Sequence, residues 1–100
     1  MWYTNSYRRH LCDMHIEDWN DEFLSEFDIN EYFKNIKAAH IQSAMIYLQS
    51  HIGYCYYPTK VGKVHKGFVG REYDMQILVK KIRDSGMDAI GYYSLIYNTW

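Results

Sequence analysis

Two histidines and a crowd of tyrosines carry the chemistry this sequence could do. His15 is the second-to-last residue of the stretch RHLCDMHI (9–16), two residues after Asp13. In an extended chain that spacing puts both side chains on one face, where the carboxylate could orient the imidazole. His51 follows the apolar run SAMIYLQ (43–49) and opens HIGYCYYPT (51–59), which holds Tyr54, Tyr56 and Tyr57. With Tyr47 just upstream, the rings crowd one short segment. A phenol ring has an apolar body and a polar tip, so such a cluster suits a wet binding wall as well as a core. Gly53 and Pro58 are read as shaping the backbone. The alternative for Tyr56 and Tyr57 is packing beneath a long loop. Asp13, His15 and His51 could also begin a metal site that activates water, although no tight His-x-His pair is present.

Other candidates have weaker cases. His40 sits where a helix should end, and a cation suits the dipole there. His10 and His65 carry no pattern of their own. Of Tyr92 and Tyr93, strand alternation lets one face inward, and Tyr93 is the one favoured. The acidic run EDWNDE (17–22) could pair Glu17 with Asp21, but a solvated face is the simpler reading.

The elements that must position these residues alternate. RHLCDMHI reads as a strand. A polar stretch follows, and DINE then opens a helix. Asp28 is the N-cap, Glu31 completes a capping box, and Phe27 can staple onto Tyr32. Ile29, Tyr32, Phe33, Ile36 and Ala39 recur on one face. SAMIYLQ is apolar enough for a parallel strand covered on both sides. A second helix spans about 73–85, with Met75, Leu78, Val79 and Ile82 inward and Gly86 as its stop. DAIGYYSLIY (88–97) is the third strand. The order predicts a parallel βαβαβ sheet with right-handed crossovers. The connection between second strand and second helix runs roughly two dozen residues, against a usual 2–6 or so. It leaves the C-terminal end of a strand, where α/β sheets bind ligands. Three strands with two helices leave open edges, so 1–100 is expected to be the N-terminal part of one larger domain.

Composition excludes several classes. The formal net charge is −1, and the basic pairs Arg8–Arg9 and Lys80–Lys81 are isolated, which argues against a nucleic-acid partner. No apolar run approaches the ~20 residues of a membrane span. MWYTNSYRRH lacks the apolar core of a signal peptide, so a cytoplasmic setting is the default. Cys12 and Cys55 form neither a metal spacing nor a disulfide framework. Aromatic residues make up 18%, with 11 Tyr and 3 Trp, which is more polar-tipped rings than a core needs.

HIGYCYYPT, with the following KVG and His65, resembles the segment after the second strand in α-L-fucosidase-like glycoside hydrolases and related hypothetical glycosyl hydrolases. HLCDMHI carries a histidine, His15, at its end but one, where their first strand ends in one, and GYYS (91–94) is similar to their third strand. The likeness covers most of residues 9–95. It implies a (β/α)8 TIM barrel, of which this chain holds the first three strands, and a carbohydrate substrate without cofactor or metal. Glycosidic bonds are hydrolysed between two carboxyl groups, and around them rings stack on sugar faces while polar tips take hydroxyls. The resemblance assigns that second task to His15, His51, Tyr54, Tyr56, Tyr57 and Tyr93. It places the nucleophile and the acid/base beyond Trp100, so the fragment alone should be inactive. Ser50 stands where the family has the first of two adjacent histidines, and Ile52 where it often has Asp, which leaves the sugar open. A metal-dependent barrel hydrolase and a non-catalytic carbohydrate-binding barrel remain alternatives.

Overall fold

Asp28 starts the first helix, α1 (Ile29–Ala38), by accepting from the N–H groups of Asn30 and Glu31 at 2.7 and 3.0 Å. These are two of the four N–H groups that a helix start leaves unpaired. The Glu31 and Asn30 N–H groups also hold the Asp28 carboxyl below its ordinary range. Phe27 lies against Tyr32 with ring centroids 5.9 Å apart, as a hydrophobic staple requires. Ile29 and Ile36 are buried, with Tyr32 and Phe33 packed at their margin. The second helix, α2 (Asp74–Asp84), buries Met75, Leu78 and Ile82. It stops at Gly86, whose φ of +85° is a conformation that side chains disfavour.

The computed structural model describes residues 1–96. Three strands, β1 (Arg9–Leu11), β2 (Ser43–Tyr47) and β3 (Asp88–Tyr92), form one parallel sheet in the order β1-β2-β3. The chain is therefore α/β, with two βαβ units whose helices pack on each other. That arrangement is consistent with a partial barrel. Register sets the faces. Ser43 pairs with Asp88, Met45 with Ile90, and Tyr47 with Tyr92. The opposite set faces α2: Gly91 lies under Leu48, which lines a groove with Met75 and Val79. Among the described residues no helix is long and apolar enough to cross a membrane.

Two strands are shorter than their patterns predict. RHLCDMHI pairs over three residues only, because local bonds take its backbone groups afterwards. Asp13 accepts from the His15 N–H at 3.0 Å, and Met14 carbonyl accepts from Ile16 N–H at 2.9 Å. Pairing of the third strand ends at Tyr92, and position 97 lies outside the described residues.

The long connection after β2 is ordered by folding back on the strand that precedes it. Tyr56 N–H donates to Leu48 carbonyl at 2.9 Å, and Ser50 N–H to Tyr54 carbonyl at 2.8 Å. Gly53 makes the turn between them at φ +99°. Further on, Cys55 N–H reaches Lys63 carbonyl and His65 N–H reaches Cys55 carbonyl, at 2.7 and 2.8 Å. Tyr56 and Phe68 then join the core beneath, both with no exposed surface.

Candidate functional site

His15, Tyr47, His51 and Tyr92 converge beyond the C-terminal ends of the strands. Tyr47 and Tyr92 end neighbouring strands in register and stack, with ring centroids 4.0 Å apart and planes at 22°. His15 stands edge-on to both, at 5.3 and 5.9 Å. The His51 ring is 5.2 Å from the His15 ring. Sequence patterns placed Tyr93 here, but β3 alternation turns Tyr92 to this face. Tyr93 is 59% exposed and outside the cluster. Tyr47 belongs to the aromatic cluster of the sequence but is not among the residues that the resemblance assigns to the sugar; its place at the end of β2, in phase with Ser43 and Met45, is the signal that points to it.

The polar atoms have defined roles. Asp13 accepts from the His15 main-chain N–H and touches His15 Nδ1. A carboxylate can only accept, so the imidazole keeps its proton on Nδ1 and offers Nε2. The His15 N–H, then its ring, hold the Asp13 carboxyl below its ordinary range. Tyr47 Oη lies 3.3 Å from His15 Nδ1. Burial, then the Asp13 charge, push the Tyr47 hydroxyl up to about 12. It is a neutral phenol at physiological pH. His51 Nε2 is 3.6 Å from Glu17 Oε1, while its Nδ1 is buried without a hydrogen-bond partner.

The acidic run 17–22 predicts a solvated face for Glu17 and its neighbours. Instead the segment after β1 is fastened to the long loop. Tyr56 Oη donates to Met14 carbonyl at 2.8 Å, and His65 Nε2 is 2.7 Å from Glu17 carbonyl. The Asp18 carboxylate accepts from Lys66 N–H, and Lys66 Nζ donates to Trp19 carbonyl at 3.2 Å. Tyr56 is therefore corrected from a ligand contact to a core residue. Its ring has no exposed surface, its hydroxyl is spent on Met14, and burial pushes that hydroxyl above its ordinary range.

The remaining rings separate. Tyr54 is half-buried and edge-on to His65 at 6.4 Å. Tyr57 lines an open groove of about 660 Å³ with Leu48, Met75 and Val79, on the helix side of the sheet. This groove is thus on the other face from the His15 cluster. Cys12 and Cys55 are free thiols, and burial raises Cys12. Among the described residues no group of three or more His, Cys, Asp or Glu is arranged to hold a metal ion.

No family model matches the sequence. No curated protein matches it either. Among solved structures, the chain is similar to α-L-fucosidase isoenzyme 2 from Paenibacillus thiaminolyticus, with a TM-score of 0.73 and 16% identity over 94% of this chain. The fold is shared. The chain spans about 14% of the length of that enzyme.

Proposed function

We propose that this chain is the first three-strand sector of a (β/α)8 barrel of glycoside-hydrolase type, and that it supplies part of the sugar-recognising wall. The observation that carries the reading is the convergence of His15, His51, Tyr47 and Tyr92 beyond the strand ends, where parallel α/β sheets receive ligands. His15 Nε2 accepts from a sugar hydroxyl, Tyr92, backed by the buried Tyr47, presents its ring to an apolar sugar face, and His51 completes the polar side. Tyr54 lies next along the same loop and is assigned an outer contact. Tyr57 and Tyr93 carry no part of this reading. The fold shared with a fucosidase makes a deoxy or neutral hexose the first substrate class to try. Hydrolysis would need a carboxyl pair supplied by further strands of the same barrel.

The test is a panel of nitrophenyl glycosides, L-fucoside included, on the longer protein, with and without chelator, beside His51→Ala. Chelator-insensitive turnover that falls at least tenfold in the variant is expected. Turnover lost to chelator and restored by zinc would replace the reading with a metal hydrolase. Saccharide binding without turnover would leave a binding barrel, and neither would end the carbohydrate reading.

A further inference from the structure

We propose that His65 is a positioning residue, which sets the Glu17 carboxylate against His51 without touching any ligand. The imidazole of His65 has no exposed surface and is fixed on both nitrogens. Nδ1 accepts from Gly67 N–H at 3.1 Å, so the ring proton is on Nε2. Nε2–H therefore donates to Glu17 carbonyl, at 2.7 Å. The ring cannot turn without losing both bonds in a site that water does not reach. Its backbone is pinned as well, since His65 N–H donates to Cys55 carbonyl at 2.8 Å. Gly67 is wedged so tightly beneath Phe23 that a Cβ there would lie 2.1 Å from the Phe23 carbonyl oxygen.

What this rigidity holds is a main-chain point 48 positions earlier. Tyr56 on Met14 carbonyl and Lys66 N–H on the Asp18 carboxylate fix the residues flanking it. With its backbone held from both sides, Glu17 has only its own side-chain torsions left, and these put Oε1 3.6 Å from His51 Nε2. Asp18, 3.6 Å from His65 Nδ1, Tyr56 at 5.4 Å and Tyr54 at 6.4 Å are the groups around the His65 ring. The Asp18 carboxylate is engaged by the Lys66 N–H, and the carboxylate beside His51 is that of Glu17. A buried residue of the second loop thus decides which carboxylate the first loop presents to the ring cluster. The consequence for sugar recognition rests on the function proposed above; the geometry does not.

The experiment uses the chain itself, isotopically labelled, with two readouts. Cross peaks between the Glu17 side chain and the His51 ring report the juxtaposition. The rate of His51 carbethoxylation by diethyl pyrocarbonate, read by mass spectrometry, reports release of the ring from its carboxylate. In the wild type the cross peaks are expected, with a bonded His65 Nε2–H near Glu17. Glu17→Ala should speed His51 modification about two- to fivefold, because it removes the part-exposed carboxylate that stands 3.6 Å from Nε2 and shields it from the reagent. His65→Ala should do the same and lose the cross peaks, while His15, held by Asp13, reacts at its wild-type rate. His65→Gln, which keeps a donor for the Glu17 carbonyl, should restore both readouts. A merely structural His65 would speed every histidine together, and that result overturns the proposal. So does a folded His65→Ala in which His51 is unchanged. Should His65→Ala not fold, an unchanged rate in Glu17→Ala, or a wild-type His65 protonated on Nδ1, still overturns it. Wild-type cross peaks as expected, beside a longer protein that neither binds nor turns over any saccharide, would instead count against the functional reading alone.

Discussion

Tyr47 and Tyr92 are register partners on adjacent parallel strands, and their rings lie 4.0 Å apart at 22°. Parallel pairing brings equivalent positions side by side on one face, so the stack follows from the pairing of Ser43 with Asp88 four residues earlier. Tyr47 is buried by the stack, and Tyr92 is the ring that stays partly accessible at this end of the sheet. His15 is set against its edge.

Replacing one ring of that pair should be felt at the ligand. Tyr92→Ala is expected to weaken saccharide affinity about three- to tenfold, the worth of one aromatic contact. Tyr93→Ala, one residue on but on the other face, should change it by less than about twofold. Calorimetric titration of both variants of the longer protein checks this. Equal losses would mean that the ligand does not use the face carrying the stack.

Tyr56 supports the site from below. Tyr56→Phe keeps the ring but removes the hydrogen bond that joins the two loops, leaving the Met14 carbonyl with the Ile16 N–H alone, at a cost of about 0.5–1.5 kcal/mol. Tyr54→Phe, whose ring is half-buried, should cost well under that. Urea unfolding of the two variants gives the comparison. A cost-free Tyr56→Phe would show that the two loops are not joined through this hydroxyl.

Gly67 has no room for a side chain. Gly67→Ala drives a Cβ against a backbone oxygen, which cannot yield as a flexible side chain would. A loss of about 1–3 kcal/mol is expected. Nothing lies within 4 Å of a Cβ at Gly70, where only the φ of +83° opposes alanine. Crowding therefore acts at the first glycine and backbone strain at the second. Gly70→Ala should accordingly leave the cross peaks between Glu17 and His51 in place, whereas Gly67→Ala should remove them.

Alkali should unfold this chain through its tyrosines. Burial raises Tyr32 and Tyr47 to about 12, and Tyr56 is raised as well. Above about pH 10 the unfolded chain has lost phenolic protons that the folded chain keeps. The unfolded state then binds fewer protons, so stability falls as pH rises from about 10 toward 12. Thermal melts across that window should show Tm dropping, and less steeply in Tyr47→Phe. A Tm independent of pH there would show that these hydroxyls are not desolvated.

Much of the fold was legible because its signals are local. Asp28 and its cap bonds, the Phe27–Tyr32 staple, the stripe of Met75, Leu78 and Ile82, and the stop at Gly86 each depend on residues within a turn or two. Strand lengths were less legible. Alternation in RHLCDMHI runs past Leu11, but the bonds that Asp13 and Met14 make nearby draw the backbone out of the sheet. His15 and His51 could be picked out by residue type and by their place after strands, and the structure sets their rings 5.2 Å apart.

Short-range periodicity and capping chemistry alone specify a helix capped by Asp28, a second helix that stops at Gly86, three strands in alternation with them, and a histidine near the end of each of the first two strands. Tertiary structure decided which rings meet. Tyr92 rather than Tyr93 joins Tyr47, because strand register sets the face. Tyr56 is buried and Glu17 is brought to His51, because bonds across 42 and 48 positions sew one loop to the other. No local pattern encodes such contacts: they form only when two chain segments far apart in sequence leave the same end of one sheet.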